Sequence, residues 1–260
     1  MFISGPCAIE SRGQVMEVAK TIADLGLTYL RGGAFKPRTS PYSFQGLEEK
    51  GLKYLMEAAR VYGLRTVTEV MDTEHVELVL RYADIIQIGM RNMANFALLK
   101  KVGALTAETK VPVILKRGMS ATIDEWLLAS EYITMAGNQN VILCERGIRT
   151  FEVTTRFTLD LSAVPVVKKL SPYQIIIDVS HAMGHSEYIA PLSRAAVAAG
   201  ADGLMIEVHP NPKKALCDGA QSLTLDQLRE LVGEIRLLWE LMKPRHALSR
   251  LAKDPAEVGV

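Results

Sequence analysis

The feature that most constrains this chain is a regular alternation of short apolar runs with amphipathic helical stretches. The apolar runs are rich in branched residues at consecutive positions, which is typical of strands buried on both faces of a parallel sheet. Eight such runs are present: FIS (2–4), TYLRGGAF (28–35), RTVTEV (65–70), DIIQIG (84–89), VPVILKRG (111–118), VILCERG (141–147), QIIIDVS (174–180) and GLMIEVHP (203–210). Eight strands, each followed by a helix, within 260 residues predict a (β/α)8 TIM barrel.

The other common α/β architecture is an open doubly wound sheet. It is disfavoured because no Gly-x-Gly-x-x-Gly motif follows the first strand. Neither a linker nor a low-complexity tract divides the chain, so residues 1–260 are expected to form a single barrel domain. Its last elements are expected to be a long C-terminal helix, LTLDQLRELVGEIRLLWELM, and a short basic tail, KPRHALSRLAK.

Charge and cysteine usage exclude several function classes. The formal net charge of +1 gives no electrostatic basis for binding nucleic acid or an anionic membrane. No apolar run approaches the roughly 20 residues that a membrane span needs, and the N-terminus has no signal-peptide pattern. Three cysteines without paired spacing indicate a reducing compartment. A cytoplasmic protein is therefore expected.

Four metal-ligating residue types occur at the ends of adjoining strands, where functional side chains of such barrels lie. Cys7 follows the first strand, His181 lies just beyond the seventh, Glu207 ends the eighth, and Asp218 lies in the loop after it. Singly, each is more often a buried thiol, a capping histidine or a solvated carboxylate. Because barrel closure brings the first strand beside the eighth, the four can converge, and such a mixed donor set suits a borderline divalent metal.

The other strand ends are rich in positive charge. A lone arginine is usually a surface residue, but converging cations would repel one another unless an anion bound between them. The basic residues at these ends are Arg31, Lys36, Arg91, Lys116, Arg117 and Arg146. The loop KPRTSPYSFQG (36–46) adds Arg38, Thr39 and Ser40, and is either an ordinary loop or a second phosphate site. These patterns predict a polyanionic substrate beside the metal.

Seven segments together resemble a known enzyme family. They are GPCAIES, RGGAFKPRTSPYSFQG, QIGMRNMANFALLK, PVILKRGM, CERGIRTFE, DVSHAMGH and IEVHPNPKKALCDGAQSL. On these segments the chain resembles the 3-deoxy-D-arabino-heptulosonate 7-phosphate (DAHP) synthases, in particular their short type I beta subclass without a regulatory domain. The resemblance implies condensation of phosphoenolpyruvate with erythrose 4-phosphate, release of phosphate, and entry into the shikimate pathway of aromatic amino acid biosynthesis.

The resemblance also implies roles for individual residues. One divalent metal ion (Mn²⁺, Co²⁺, Zn²⁺ or Fe²⁺) is expected on Cys7, His181, Glu207 and Asp218. Phosphoenolpyruvate is expected against Arg31, Lys36, Arg91, Lys116 and Arg146. Erythrose 4-phosphate is expected against Lys36, Pro37, Arg38 and Thr39. Lys36 and Glu145 are the candidates for proton transfer, and Cys7 and His181 complete the expected catalytic set.

Three positions depart from the pattern of that family. Met90 and Phe157 stand where alanine and asparagine are usual, and Cys217 replaces a common serine. None removes a proposed ligand, so activity is expected. Cys217 adjoins Asp218, so its sulfur is expected near that of Cys7, where metal-free protein could form a disulfide. Because the first strand begins at about residue 2, feedback control by an extra N-terminal domain is not expected.

Two other functions remain open at this point. The nearest is 3-deoxy-D-manno-octulosonate 8-phosphate synthase, which uses arabinose 5-phosphate and typically has Asn-Arg-Ser-Ser where this chain has Lys-Pro-Arg-Thr-Ser. The other is a catalytically silent barrel with a regulatory or assembly role, which the complete donor set and cation cluster disfavour. The expected partners are phosphorylated small molecules and further copies of the chain, as a homotetramer or homodimer, with no nucleic acid and no membrane.

Overall fold

The computed structural model describes the backbone of residues 1–36, 40 and 42–251, and the side chains of these residues up to position 242. Within this part of the chain, eight parallel strands pair in sequence order and close into a barrel. They are β1 (Phe2–Gly5), β2 (Tyr29–Arg31), β3 (Arg65–Val70), β4 (Ile85–Ile88), β5 (Val113–Lys116), β6 (Val141–Glu145), β7 (Gln174–Asp178) and β8 (Gly203–Glu207). The closed barrel confirms the predicted (β/α)8 fold.

Helices of very different length connect the strands and surround the barrel. Those in the described residues are α1 (Arg12–Asp24), α2 (Glu48–Tyr62), α3 (Val76–Leu80), α4 (Phe96–Thr106), α5 (Ile123–Met135), α6 (Ala163–Leu170), α7 (Val179–Met183), α8 (Ile189–Ala198) and α9 (Leu225–Leu251). Two helices separate β7 from β8, because the short α7 begins directly at the end of β7. None of the described helices is long and apolar enough to cross a membrane.

Apolar side chains fill both sides of the sheet. The inward-facing side chains form one small buried cluster, Ile3, Val67, Ile85, Ile114, Ile142, Cys144, Ile176 and Met205. The alternate residues, such as Leu30 and Leu143, face outward into a larger core shared with the helices. This double burial explains the near-continuous apolar runs that predicted the strands. Cys144 accordingly lies in the barrel interior, as expected.

The inward face changes from apolar to charged at the C-terminal ends of the strands. Since side chains alternate across a strand, the residue two positions beyond an inward apolar residue also faces inward. These positions hold Arg31, Glu69, Gln87, Lys116, Arg146, Asp178 and Glu207. Arg31 pairs with Glu207, Lys116 pairs with Asp178, and the Gln87 amide donates to Glu69 on the neighbouring strand. A charged layer therefore covers the apolar interior and forms the floor of the mouth.

The strand boundaries differ from the prediction most at β2. The run 28–35 was expected to be one strand, but β2 ends at Arg31. Beyond it the chain turns toward β1, because the Gly33 N–H donates to Cys7 O at 3.2 Å.

The predicted C-terminal helix is present as α9. Residues 252–260 of the basic tail lie outside the described residues, so a single domain over 1–260 stays a prediction.

We expect Ile114→Ala to destabilise the barrel, because Ile114 is fully buried in the inward cluster. Its neighbours lie on a closed ring of strands and cannot collapse into the cavity, so the free energy of unfolding should fall by about 2–5 kcal/mol. Ile114→Val removes less volume and should cost about 0.5–1.5 kcal/mol. Urea unfolding followed by circular dichroism measures both. Equal, small losses in the two variants would contradict a close-packed interior.

Candidate active site

The four candidate metal ligands converge at one side of the mouth. One donor atom from each of Cys7, His181, Glu207 and Asp218 lies within 4.8 Å of the other three. Pairing of β1 with β8 places Gly5 opposite Glu207, so Cys7 emerges beside that carboxylate. His181 lies on α7, directly after the neighbouring β7. The structure thus brings together all four residues that the sequence predicted as ligands.

The geometry of the four side chains and the ionisation of the two carboxylates suit a divalent cation. Nε2 of His181 lies 3.4 Å from Glu207 Oε1 and 3.9 Å from Asp218 Oδ2, and the Cys7 thiol donates to Asp218 Oδ2 at 3.1 Å. Burial opposes ionisation of Asp218, but the charges of His181 and Arg156 outweigh it and lower its pKa to about 2. Burial also opposes ionisation of Glu207, yet His181 and Arg31 lower its pKa. Sulfur, nitrogen and two ionised carboxylates match the preferences of borderline metals.

Asp178 holds His181 in its orientation, a role that the sequence analysis missed. Its Oδ1 accepts from the His181 backbone N–H at 3.1 Å, and its Oδ2 lies 2.8 Å from His181 Nδ1. Burial opposes ionisation of Asp178, but His181 and Lys116 hold its pKa well below the usual range. Nε2 therefore faces the other candidate ligands. The available signal was an aspartate at a strand end, three residues before a histidine.

A cavity of about 320 Å³ opens beside the candidate metal ligands. Its walls include five basic side chains, Lys36, Arg91, Lys116, Arg146 and Arg156. Glu69 and Asp218 are the acidic side chains among its described lining residues, and Ser40, Ser43, Gly89, Met90 and His181 complete the wall. Positive charge therefore exceeds negative charge around a site that is large enough for small phosphorylated molecules.

Comparison with known proteins agrees with this arrangement. A sequence model of the DAHP synthetase I family matches residues 1–243. The chain belongs to the DAHP synthetase I family. Phospho-2-dehydro-3-deoxyheptonate aldolase of Thermotoga maritima is 55% identical over 236 residues, which cover 91% of this chain and 69% of that protein. The 2-dehydro-3-deoxyphosphooctonate aldolase of Desulfotalea psychrophila is 32% identical over 253 residues, covering 90% of this chain and 88% of that protein.

Solved structures show the same relationship. The crystal structure of the Thermotoga maritima DAHP synthase matches with a TM-score of 0.89 at 53% identity, covering 93% of this chain and 70% of that one. A truncated form of the same enzyme matches with a TM-score of 0.85 at 49% identity, covering 93% of this chain and 87% of that one. The resemblance stated from the sequence motifs is therefore confirmed.

Lys36 is a buried cation that contacts the candidate metal ligand Cys7. Its Nζ donates to the Cys7 carbonyl at 3.0 Å and to Cys7 Sγ at 3.1 Å. Burial favours the neutral amine, but the electrostatic influence of the Cys7 and Cys217 sulfurs outweighs it and raises the pKa of Lys36. A cationic ammonium group therefore lies between the sulfur and the cavity.

Besides the candidate metal ligand Glu207, three charged residues of the predicted site that the structure describes do not line the cavity. Arg31 lies on the floor, where its guanidinium pairs with Glu207. Glu145 lies on the opposite face of β6, where it accepts from the Gly147 N–H and pairs with Arg117 at 3.0 Å. Burial raises the pKa of Glu145. Arg117 also pairs with Asp160 at 2.8 Å, so Glu145 and Arg117 both face the helices.

The loop predicted to bind the second phosphate is only partly described. Pro37, Arg38 and Thr39 lie outside the described residues, as does Pro41. Ser40 and Ser43 of the same loop line the cavity. The assignments of Pro37, Arg38 and Thr39 to erythrose 4-phosphate therefore stay predictions.

The sulfurs of Cys7 and Cys217 are in contact, 3.1 Å apart, and both side chains are buried. Cys217 is followed by Asp218, whose carboxylate also contacts Cys7. The expected approach of the two thiols is therefore present. The third cysteine, Cys144, lies in the barrel interior instead.

We expect Asp178→Asn to weaken metal binding about 10- to 100-fold, because loss of the carboxylate frees the His181 ring and lowers its basicity. Titration of the metal-free protein with Mn²⁺ or Co²⁺ measures the dissociation constant. Asp24→Asn, at an exposed residue paired with Lys20, is the matched control and should change it less than about twofold. Thermal unfolding identifies folded variants. Unchanged affinity in folded Asp178→Asn would contradict the orienting role.

We also expect Cys7 and Cys217 to cross-link when metal-free protein is treated with diamide. The two thiols give up two electrons and two protons, which reduce diamide to its hydrazine, and a sulfur–sulfur bond forms. Intact mass and thiol titration should show the loss of two hydrogen atoms and two free thiols. Bound metal should slow this reaction, and Cys217→Ser should prevent it. An equal loss of thiols in wild type and Cys217→Ser would show that other cysteines react.

Proposed function

We propose that this protein is a 3-deoxy-7-phosphoheptulonate synthase, a transferase that condenses phosphoenolpyruvate with erythrose 4-phosphate and water. The products are 3-deoxy-D-arabino-heptulosonate 7-phosphate and phosphate. The observation that best supports this function is the cation-walled cavity beside four converging donor atoms. Membership of the DAHP synthetase I family and 55% identity to the Thermotoga maritima relative agree with it. The reaction is the first step of the shikimate pathway.

Phosphoenolpyruvate is proposed to bind in the cavity against Lys36, Arg91, Lys116 and Arg146, whose side chains line it. Guanidinium groups match carboxylate and phosphate geometry, whereas lysines supply compact charges. Arg31 is proposed to act indirectly, through its ion pair with Glu207. The cationic wall reduces repulsion between two anionic substrates and holds them in attack geometry.

One divalent metal ion, Mn²⁺, Co²⁺, Zn²⁺ or Fe²⁺, is proposed to be held by Cys7, His181, Glu207 and Asp218. When bound it would supply Lewis-acid chemistry that polarises the aldehyde carbonyl. The adjacency of these donors to the cavity supports the assignment. Asp178 fixes the histidine ring and so keeps one nitrogen directed to the metal position.

Carbon–carbon bond formation follows when the methylene carbon of phosphoenolpyruvate attacks the aldehyde carbon. Water then adds to the cationic centre that results, and phosphate leaves the tetrahedral intermediate. Lys36 is proposed to transfer a proton in these steps, because its ammonium lines the cavity and contacts Cys7. Glu145 is not proposed to transfer a proton, since its carboxylate pairs with Arg117 on the helix side of β6.

The phosphate of the aldehyde is proposed to bind the loop that follows Lys36, through Pro37, Arg38 and Thr39. The presence of Ser40 and Ser43 at the cavity supports a contact between this loop and the substrate. The distance from the metal ligands to this loop would then determine the length of the aldehyde carbon chain that fits the site. Proline restricts backbone freedom, so two prolines in the loop disfavour adjustment to a longer chain.

The rival octulosonate synthase is supported less well. Its curated relatives are about a third identical to this chain, for example 32% for Desulfotalea psychrophila, against 55% for the heptulosonate relative. The Lys-Pro-Arg-Thr-Ser sequence of the loop also favours the four-carbon aldehyde.

The substrate preference tests this function directly. With phosphoenolpyruvate and metal present, phosphate release should be faster with erythrose 4-phosphate than with arabinose 5-phosphate. The kcat/KM values should differ by at least about tenfold, or roughly 1.4 kcal/mol, because small misplacements of a bound group slow reactions strongly. Exhaustive chelation should abolish turnover, and added Mn²⁺ or Co²⁺ should restore it. Equal or better use of arabinose 5-phosphate would replace this function by the rival one.

The protein is further proposed to act in the cytoplasm as a homotetramer or homodimer. Three cysteines without paired spacing in the sequence support a reducing compartment. The exposed apolar residues Leu237 and Leu241, one turn apart on α9, support self-association. Light scattering of the purified protein measures the size of the assembly, and a monomer would overturn this part of the proposal.

A further inference from the structure

Arg146 differs from the buried cations Arg31, Lys116 and Arg117 in having no carboxylate partner. Arg31 pairs with Glu207, Lys116 with Asp178, and Arg117 with Glu145 and Asp160. Lys36 contacts the sulfur of Cys7. Among the described side chains, none supplies Arg146 with a carboxylate at ion-pair distance, although it is only 2% exposed. A buried, unpaired cation is costly, so another group must stabilise it.

An aromatic ring occupies the position of the missing anion. The guanidinium carbon of Arg146 lies 4.1 Å from the centroid of the Phe157 ring. Nη2 donates to the backbone carbonyl of His181 at 3.2 Å, whereas Nη1 is buried without a hydrogen-bond partner among the described residues. The guanidinium is therefore stacked on a ring face while it retains an unused donor.

We infer that Phe157 is a positioning residue that keeps the charge and donors of Arg146 available for phosphoenolpyruvate. This inference rests on the proposed function. A cation over an aromatic face is attracted by the ring quadrupole, and this attraction uses none of the N–H groups. A carboxylate in the same place would also stabilise Arg146, but it would neutralise the charge and occupy the donors. The ring thus stabilises the ligand-free cation without competing with the substrate.

Loss of the Phe157 ring would leave Arg146 exposed to the attraction of nearby carboxylates. Asp178 is the anion with the largest electrostatic effect on Arg146. Released from Phe157, the guanidinium would be attracted toward this carboxylate, which already pairs with Lys116. Phosphoenolpyruvate would then have to displace an internal ion pair before it could bind. Preorganisation of this kind affects binding rather than the chemical step.

The backbone fixes Phe157 against the segment that contains His181. The Phe157 N–H donates to Ala182 O at 2.8 Å, and the neighbouring Arg156 N–H donates to Met183 O at 3.1 Å. Gly147, next to Arg146, has φ +91°, and a Cβ there would lie 2.5 Å from the Phe157 Cβ. The glycine therefore permits the close approach of the two segments. The ring is held in place by main-chain contacts as well as by its own packing.

The test compares three full-length, metal-loaded variants with wild type. Phe157→Leu removes the ring at similar bulk, and Phe157→Tyr keeps the ring face. Phe151→Leu is the matched control, because Phe151 lies in the same loop and is 98% exposed. Calorimetry measures binding of phosphoenolpyruvate, steady-state kinetics separates KM from kcat, and thermal unfolding identifies the folded variants.

Phe157→Leu should weaken phosphoenolpyruvate binding and raise its KM by about tenfold, within the range of desolvated cation–π contacts. The kcat and the KM for the aldehyde should change less than about twofold. Phe157→Tyr should restore the wild-type KM, and Phe151→Leu should resemble wild type. Folded Phe157→Leu that binds phosphoenolpyruvate as wild type does would overturn the inference. Wild type that binds phosphoenolpyruvate normally but makes no product would instead overturn the proposed function.

Discussion

Hydrogen bonding between β1 and β8 closes the barrel, and the candidate site depends on this pairing. It sets Gly5 opposite Glu207, and the Val208 N–H continues the ladder to Gly5 O at 3.1 Å. Cys7 therefore emerges beside Glu207 although 200 residues separate them in sequence. The Leu223 N–H then donates to Glu207 O at 2.9 Å, which returns the loop containing Asp218 to the same rim. Without the pairing of β1 with β8, the sulfur of Cys7 would lie apart from the other three candidate metal ligands.

The charged layer shows how a polar mouth can lie on an apolar barrel. Charges taken out of water are costly unless they are paired. The inward layer contains three basic residues, Arg31, Lys116 and Arg146, and three acidic residues, Glu69, Asp178 and Glu207, so its formal charges cancel. The excess positive charge of the cavity comes from residues above the layer, such as Arg91 and Arg156, which are more exposed. Electroneutrality below and positive charge above together direct an anion to the mouth.

The sequence was sufficient to predict the barrel and the four converging donors, because strand order and barrel closure determine which strand ends are neighbours. The sequence was insufficient to predict which of two adjacent residues at a strand end faces the mouth and which faces the helices. Glu145 and Arg146 are adjacent, yet one faces the helices and the other the mouth, and the apolar run VILC before them has no alternation that distinguishes the faces. Asp178 was missed because an aspartate at a strand end commonly caps a helix, which Asp178 also does through His181 N.

The pairing within the floor of the mouth has a consequence for how such enzymes diverge. Changing Lys116 alone would leave Asp178 buried with one partner fewer, and changing Glu207 alone would leave Arg31 buried without its carboxylate. Breaking a buried pair from one side costs more than replacing both partners together. Descendants of this chain that alter one member must therefore pass through an unstable intermediate or change both positions at once. Positions 116 and 178, and positions 31 and 207, are expected to covary as two linked units.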